Sequence, residues 1–219
     1  MLRFVLFDID DTLFPSTEFS SLARKNALTS MIGMGLRYDY NTLNKKLMRI
    51  IKQKGSNYEG HFDELCKQLK IKNPEKYVAA AVASYHDTKT SIQPFPQVPL
   101  LLLRLKEQGF KIYAATSGNS IKQWDKLIRL RLSLYFDGVF VTKKEKDKNF
   151  YKKILSELRA KPEECLMIGD REDVDILPAK QVGIKTIRVL TGKYSEIPSK
   201  ADFISNNIHD LSSILAKLK

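Results

Sequence analysis

Apolar positions along the chain follow two rhythms. Short apolar runs occur at Arg3 to Phe7 (RFVLF), Lys111 to Ala115 (KIYAA), Gly138 to Val141 (GVFV), Cys165 to Ile168 (CLMI) and Ile184 to Leu190 (IKTIRVL). Runs this short, bounded by Gly, Asp or Ser/Thr, fit strands buried on both faces of a parallel sheet. Between them the apolar residues recur at helical spacing. Val98 to Gly109 carries such leucines and stops at Gly109, a C-terminal cap; Asn149 to Ala160 does the same before Lys161-Pro162. ADFIS (Ala201 to Ser205) predicts a last edge strand, and Asp210 to Leu218 a closing helix. Strand alternating with helix predicts an α/β, doubly wound (Rossmann-like) parallel sheet.

One region breaks the alternation. From Pro15 to Pro94 no strand pattern occurs, and Phe19 to Leu36, Tyr40 to Lys54, Tyr58 to Leu69 and Pro74 to Thr90 read as four amphipathic helices. Gly55-Ser56-Asn57 and Lys72-Asn73-Pro74 read as turns, and SIQPFPQVP, with its three prolines, as a return linker. The expected organisation is an α/β core of residues 1–14 and 95–219 with an α-helical domain, residues 15–94, inserted after the first strand.

Composition narrows the class. The 219 residues, 43% hydrophobic and 28% charged, suit a soluble globular chain with room for one core and a small insert. Leu100 to Leu103, the longest candidate for a membrane segment, is stopped by Arg104, and Asp8 interrupts the first apolar run before a secretory h-region forms. Two isolated cysteines, Cys66 and Cys165, make neither a disulfide framework nor a zinc site; both are expected to be inert apolar fillers in a reducing cytoplasm. The net charge is +12. The cations are spread, and the densest run, TKKEKDKNFYKK, is interleaved with Glu145 and Asp147. That pattern reads as a solvated basic surface, or one attracting small anions. The charge alone supports a nucleic-acid partner, and no RNA-binding aromatic motif or zinc finger accompanies it.

The chemistry gathers at strand ends. In open parallel sheets ligands bind at the carboxyl ends of strands. Three runs end there in polar clusters: Asp8-Ile9-Asp10-Asp11-Thr12, Thr116-Ser117-Gly118-Asn119, and Gly169-Asp170 continuing to Asp175. If these strands are neighbours, Asp8, Asp170 and Asp175 share a site that needs a divalent cation, and an all-oxygen set suits Mg²⁺. Such carboxylates either serve only as ligands, or one is the nucleophile of an aspartyl-phosphate enzyme. The two-residue spacing of Asp8 and Asp10 favours the second, because it sets both on one side of an extended chain.

These residues resemble the haloacid dehalogenase-like hydrolase superfamily over essentially the whole chain. FDIDDTLF has its DxDxT signature (Asp8, Asp10, Thr12), Thr116-Ser117-Gly118 resembles its second motif, and GDREDVD resembles its GDxxxxD motif (Asp170, Asp175). The helical insert resembles the cap of subfamily I members, and GSNYEGHFDEL a cap segment of archaeal-type members. The third motif departs from the family pattern: its usual proline is missing, and Lys143, Lys144, Lys146 and Lys148 all compete. Counting back from YKKIL selects Lys146, with Lys148 next.

The resemblance implies a Mg²⁺-dependent phosphatase for a small phosphomonoester. Asp8 would be the nucleophile, Asp10 the proton donor and acceptor, and Lys146 the charge-offsetting cation. Thr116 would hydrogen-bond the phosphoryl group, and Thr12, Ser117, Gly118, Asn119 and Lys148 would complete the substrate-facing set. Asp8, the Asp10 carbonyl and Asp170 would hold the metal, with Asp175 as a further ligand or just behind them. The cap would close over the site and exclude bulky substrates. A phosphomutase keeps both aspartates and stays open as an alternative, whereas a 2-haloacid dehalogenase has no need of Asp10. Phosphoglycolate, glyceraldehyde 3-phosphate, sugar phosphates and nucleoside monophosphates are candidate substrates, with a triose phosphate first. A monomer or homodimer is expected. Asp11 is expected to be solvated or capping, and Asp173 to support the metal or lie on the surface. His61 and His86 are expected to be helix-surface or packing residues. Trp124, Tyr38, Tyr40, Tyr58 and Tyr85 are expected in the core.

Overall fold

The computed structural model describes residues 1–56 and 58–216. Asn57 of the first predicted turn and Leu218 at the end of the last predicted helix lie outside the described residues. The chain divides into two compact units, Glu18–Ile92 and the remainder, Met1–Thr17 with Gln93 onward.

The unit Glu18–Ile92 is helical. It comprises most of α1 (Ser16–Gly33), then α2 (Tyr40–Lys54), α3 (His61–Gln68) and α4 (Glu75–Thr90). Leu28, Met31, Leu43, Leu47, Ile50 and Leu65 fill its own core, each at most 1% exposed. Asp39 caps α2 by accepting from the Thr42 N–H (2.9 Å) and hydroxyl (2.6 Å), which satisfies donors the first turn cannot. Tyr40 and Tyr85 pack partly buried against the core. Tyr38 and Tyr58 do not; both are exposed. They precede α2 and α3 rather than lying within them, so helical periodicity does not turn them inward.

The other unit is a six-stranded parallel sheet. Its strands are β1 (Phe4–Phe7), β2 (Lys111–Ser117), β3 (Gly138–Thr142), β4 (Cys165–Gly169), β5 (Lys185–Val189) and β6 (Phe203–Ser205), in the order β3-β2-β1-β4-β5-β6. Helices α5 (Val98–Glu107), α6 (Ser120–Arg129), α7 (Lys148–Leu158), α8 (Leu177–Lys180) and α9 (Leu211–Ala216) connect and cover them. The α/β, doubly wound architecture is therefore as the sequence predicts, with a helical unit following the first strand.

All four residues of β1 are buried, which explains its unbroken apolar run: a central strand covered on both faces has no solvent side to alternate with. Phe7 pairs in register with Ala114 of β2 and Ile168 of β4. The chain order reverses across β1, so the crevice beyond its carboxyl end is the topological switch point where such sheets bind ligands.

Sequence patterning did not single out α6, nor the π-helical turn Glu172–Ile176 that runs into α8. In the latter three acidic residues stand among only two apolar ones, and no helical stripe is visible. Trp124, on α6, is only half-buried. Among the described residues no helix is long and apolar enough to cross a membrane.

Candidate active site

The Asp8 N–H donates to Ile168 O at 2.9 Å, carrying the β1–β4 pairing one residue past the strand. The chain then turns. The Leu13 N–H returns to Ile9 O at 3.0 Å, and Asp11 takes a left-handed φ of 56°. Asp11 is not solvated: it is 6% exposed and accepts from the Thr17 N–H (2.8 Å) and hydroxyl (2.5 Å), capping the first turn of α1. Its role is the capping one, and its charge is spent there.

Four charged groups meet behind this turn. Asp8, Lys146, Asp170 and Asp175 are each at most 6% exposed. Lys146 Nζ contacts Asp8 Oδ1, lies 2.5 Å from Asp175 Oδ1 and donates to Ala115 O at 3.1 Å. Thr116, 2% exposed, directly follows that carbonyl. Of the four competing lysines, Lys146 is therefore the one buried in this cluster, while Lys143, Lys144 and Lys148 are exposed.

Local structure forces the acidic groups together. A Cβ on Gly169 would stand 2.5 Å from the Asp175 carboxyl carbon, so only glycine lets that carboxyl lie against the end of β4. The π-helical turn holds Asp175 in place: its Oδ2 accepts the Arg171 N–H at 3.1 Å, and the Tyr151 hydroxyl, from α7, donates to Val174 O at 3.1 Å. Arg188 Nε donates to Asp170 O at 2.9 Å and anchors the main chain that follows β4.

The second cluster is also shaped by its backbone. Gly118 has φ +123°, and its N–H donates to Thr142 O at 2.7 Å. Gln123 Nε2 donates to Ser117 O at 2.7 Å, and Asn119 Oδ1 accepts the Lys122 N–H at 3.2 Å to cap α6. Asn119 is exposed and its carbonyl oxygen is used for capping. Thr12 is fully buried, and its hydroxyl has no hydrogen-bond partner among the described residues. A buried hydroxyl in that state costs desolvation energy.

Asp10, whose side chain is 42% exposed, is gripped by Lys126 of α6, with Nζ 2.7 Å and 2.6 Å from its two oxygens. Asp173 is a surface residue, paired with Arg171 at 2.5 Å. The helical unit holds His86 exposed on α4 and His61 at the start of α3. Lys126, Tyr151 and Arg188 were not legible as site residues. Lys126 lies 116 residues from Asp10 and sits on an amphipathic helix where a lysine is ordinary.

Electrostatics point to a missing positive charge. Burial pushes the Asp8 carboxyl up, Lys146 opposes this, and Asp175 and Asp10 add to it. Burial, then Asp8 and Asp175, push Asp170 up to about 9. Burial disfavours the Lys146 ammonium, but Asp175 and Asp8 outweigh it and keep it charged. Burial and Asp175 hold the Tyr151 hydroxyl well above its ordinary range, so it stays a donor. Four carboxylates (Asp8, Asp10, Asp170, Asp175) thus face two ammonium groups. One carboxylate oxygen from each of Asp8, Asp170 and Asp175 lies within 4.8 Å of the others. This buried all-oxygen set fits a hard divalent cation, which would both close the charge deficit and stabilise the ionised forms.

The sequence profile of the haloacid dehalogenase-like hydrolase family matches residues 5–189. The chain belongs to that family. Among the relatives of this hydrolase, a Methanocaldococcus jannaschii protein named glyceraldehyde 3-phosphate phosphatase is 39% identical over 226 residues, covering 100% of this chain and 99% of its own. A Pyrococcus furiosus protein of the same name is 38% identical over 99% of this chain and 94% of its own. The solved structure of a Thermotoga maritima protein, provisionally assigned as a β-phosphoglucomutase, superposes with a TM-score of 0.77 at 21% identity, covering 100% of both chains. That likeness concerns the fold. Full-length relatives at this level of identity make the hydrolase a phosphatase of its family.

Proposed function

We propose that this hydrolase is a Mg²⁺-dependent phosphatase that cleaves a small phosphomonoester, a triose phosphate first among them, through an aspartyl-phosphate on Asp8. The observation that carries the proposal is the buried Lys146 ammonium held between Asp8 and Asp175 at the switch point of the sheet. It gives an anionic nucleophile a fixed cationic neighbour in a site where charge is otherwise crowded. The names of the M. jannaschii and P. furiosus relatives support glyceraldehyde 3-phosphate as substrate.

In this reading Asp8 attacks phosphorus, and its bond to phosphorus forms as the ester P–O bond breaks. Asp10 gives a proton to the departing oxygen and later takes one from the water that hydrolyses the aspartyl-phosphate. Lys146 offsets charge on Asp8 and on the phosphoryl oxygens. The Thr116 and Thr12 hydroxyls and the backbone N–H groups around Gly118 orient those oxygens, so that much of the barrier is lowered by positioning and fixed dipoles. Asp8, Asp170 and Asp175, with the Asp10 carbonyl, would hold Mg²⁺, which when bound supplies charge neutralisation between the anionic nucleophile and the anionic ester. The helical unit is assigned the part of a substrate-selecting cap. A reducing cytoplasm suits the two cysteines, both free and buried; burial pushes the Cys165 thiol up to about 12.

The test is hydrolysis of glyceraldehyde 3-phosphate and p-nitrophenyl phosphate by the wild type with Mg²⁺, the wild type with EDTA, and Asp8→Asn. Activity that needs the metal and disappears in the variant is expected. Phosphatase activity that survives Asp8→Asn overturns the proposal.

A further inference from the structure

Lys126 takes no part in the chemistry described so far, yet it makes the closest polar contacts of Asp10. Its ammonium bridges both carboxylate oxygens, at 2.7 Å and 2.6 Å. The Asp10 backbone is fixed on either side, by fully buried Ile9 and by Asp11 in its capping contact, which leaves only the side-chain torsions to be set. The cation that sets them is itself anchored. Helix α6 starts on the Asn119 cap, and Gln123, one turn before Lys126, is tied to Ser117 O. The same element that shapes the phosphate-facing turn after Thr116 therefore aims Lys126 at Asp10. The other cation in the last turn of α6, Arg129, is paired with Asp125 at 2.9 Å.

The side chains of this pair are 27% and 42% exposed. Ion pairs so open to water contribute little to stability, and the consequence of this one lies in where it holds the carboxylate. Both oxygens held on one ammonium fix the direction in which the carboxylate faces. An acceptor is what the second half of the reaction needs.

We propose that Lys126 is a positioning residue, acting through Asp10 on hydrolysis of the aspartyl-phosphate. The inference rests on the phosphatase reading above. In the step concerned, water oxygen attacks phosphorus, the bond from Asp8 to phosphorus breaks, and the water proton passes to the Asp10 carboxylate. Inorganic phosphate and an ionised Asp8 result, and Asp10 holds the proton it gives to the next departing oxygen. Lys126 neither gains nor loses a proton; it fixes the torsions of the acceptor.

The experiment compares wild type, Lys126→Met and Lys126→Arg with Mg²⁺ and p-nitrophenyl phosphate, in the steady state and by rapid quench. General-base assistance contributes about 10²–10⁴-fold, so a displaced base is expected to slow phosphoenzyme decay by roughly tenfold or more. In Lys126→Met kcat and KM then fall together, kcat/KM holds within about threefold, and a burst of p-nitrophenolate stoichiometric with enzyme appears, because only the later step is affected. Lys126→Arg, which keeps a cation at the position, is expected to lie between the two. Lys126→Met with wild-type phosphoenzyme decay, or with kcat and kcat/KM reduced equally and no burst, overturns the inference. If Lys126→Met does not fold, Lys126→Gln is measured against the same criteria. The two readings fail separately: a wild type that forms no phosphoenzyme on Asp8 sinks the phosphatase mechanism and this inference with it. An active wild type with an unaltered variant sinks only the role of Lys126.

Discussion

Replacing Arg188 by Met tests the reasoning about the Asp170 side of the site. Arg188 is fully buried on β5, facing the end of β4, and its guanidinium spans the main chain of two segments. It donates to Asp170 O at 2.9 Å, to Ile197 O at 2.8 Å and to Tyr194 O at 2.6 Å, with a longer contact to Glu172 at 3.5 Å. Charged hydrogen bonds contribute about 1.5–3 kcal/mol each, but the desolvation of the guanidinium offsets part of their sum. Methionine removes the donors and leaves buried carbonyls without them; removing one side of a buried charged network costs about 3–5 kcal/mol. Glu172 is not stranded, since the Ser199 hydroxyl and the Lys200 N–H still reach it at 2.8 Å. For a chain of this size each kcal/mol lowers the melting midpoint by about 2–4 °C, so a fall of roughly 6–20 °C is expected. Thermal unfolding followed by circular dichroism measures it. Arg188→Lys is expected to recover only part, because a single ammonium cannot reach three carbonyls lying in different directions. A loss below about 0.5 kcal/mol in Arg188→Met, within the range of an ordinary surface substitution, would refute the view that this guanidinium holds the segment together.

Gly169→Ala places a methyl 2.5 Å from the Asp175 carboxyl; the overpacking is expected to cost about 1–3 kcal/mol, and phosphatase activity is expected to fall further than stability as Asp175 leaves Lys146, a comparison of melting midpoint with kcat. Burial raises the Asp137 carboxyl, but the Ile112 N–H and the Lys106 and Lys111 ammonium groups together outweigh it and hold it below its ordinary 3.8. Its contribution is therefore present above the ordinary carboxylate range and lost as pH falls through the depressed value. Asp137→Asn is expected to be less stable than wild type at pH 7, with the gap closing below about pH 4 in urea unfolding at both pH values.

Much of the fold and part of the site were legible before any tertiary contact was known. The run FVLF followed by carboxylates announced a buried strand ending at a polar edge, and the structure has β1 fully buried with Asp8 one residue beyond it. Leucine spacing and a terminal glycine predicted α5 closely. The helical character of the insert was legible for the same reason: each apolar stripe is a local property of one segment. Misplaced side chains sat where that logic stops. Tyr38 and Tyr58 are large and apolar in body, yet lie outside the helical segments whose periodicity would have buried them. The π-helical turn at Glu172–Ile176 carries no apolar stripe, and its conformation depends on Tyr151, Arg171 and Asp175 meeting.

Strand count, the parallel architecture and the acidic clusters followed from the sequence alone, because periodicity and end residues are written locally. Which lysine reaches Asp8, which cation grips Asp10 and what anchors Asp170 are different matters. Lys146 meets Asp8 across 138 residues, Lys126 meets Asp10 across 116, and Arg188 reads as one of three polar residues, with Lys185 and Thr186, in a largely apolar strand. Only tertiary structure decides such pairs: several cations of equal charge compete for each carboxylate, and the winner is set by which backbone elements the closed sheet brings within a side chain's reach.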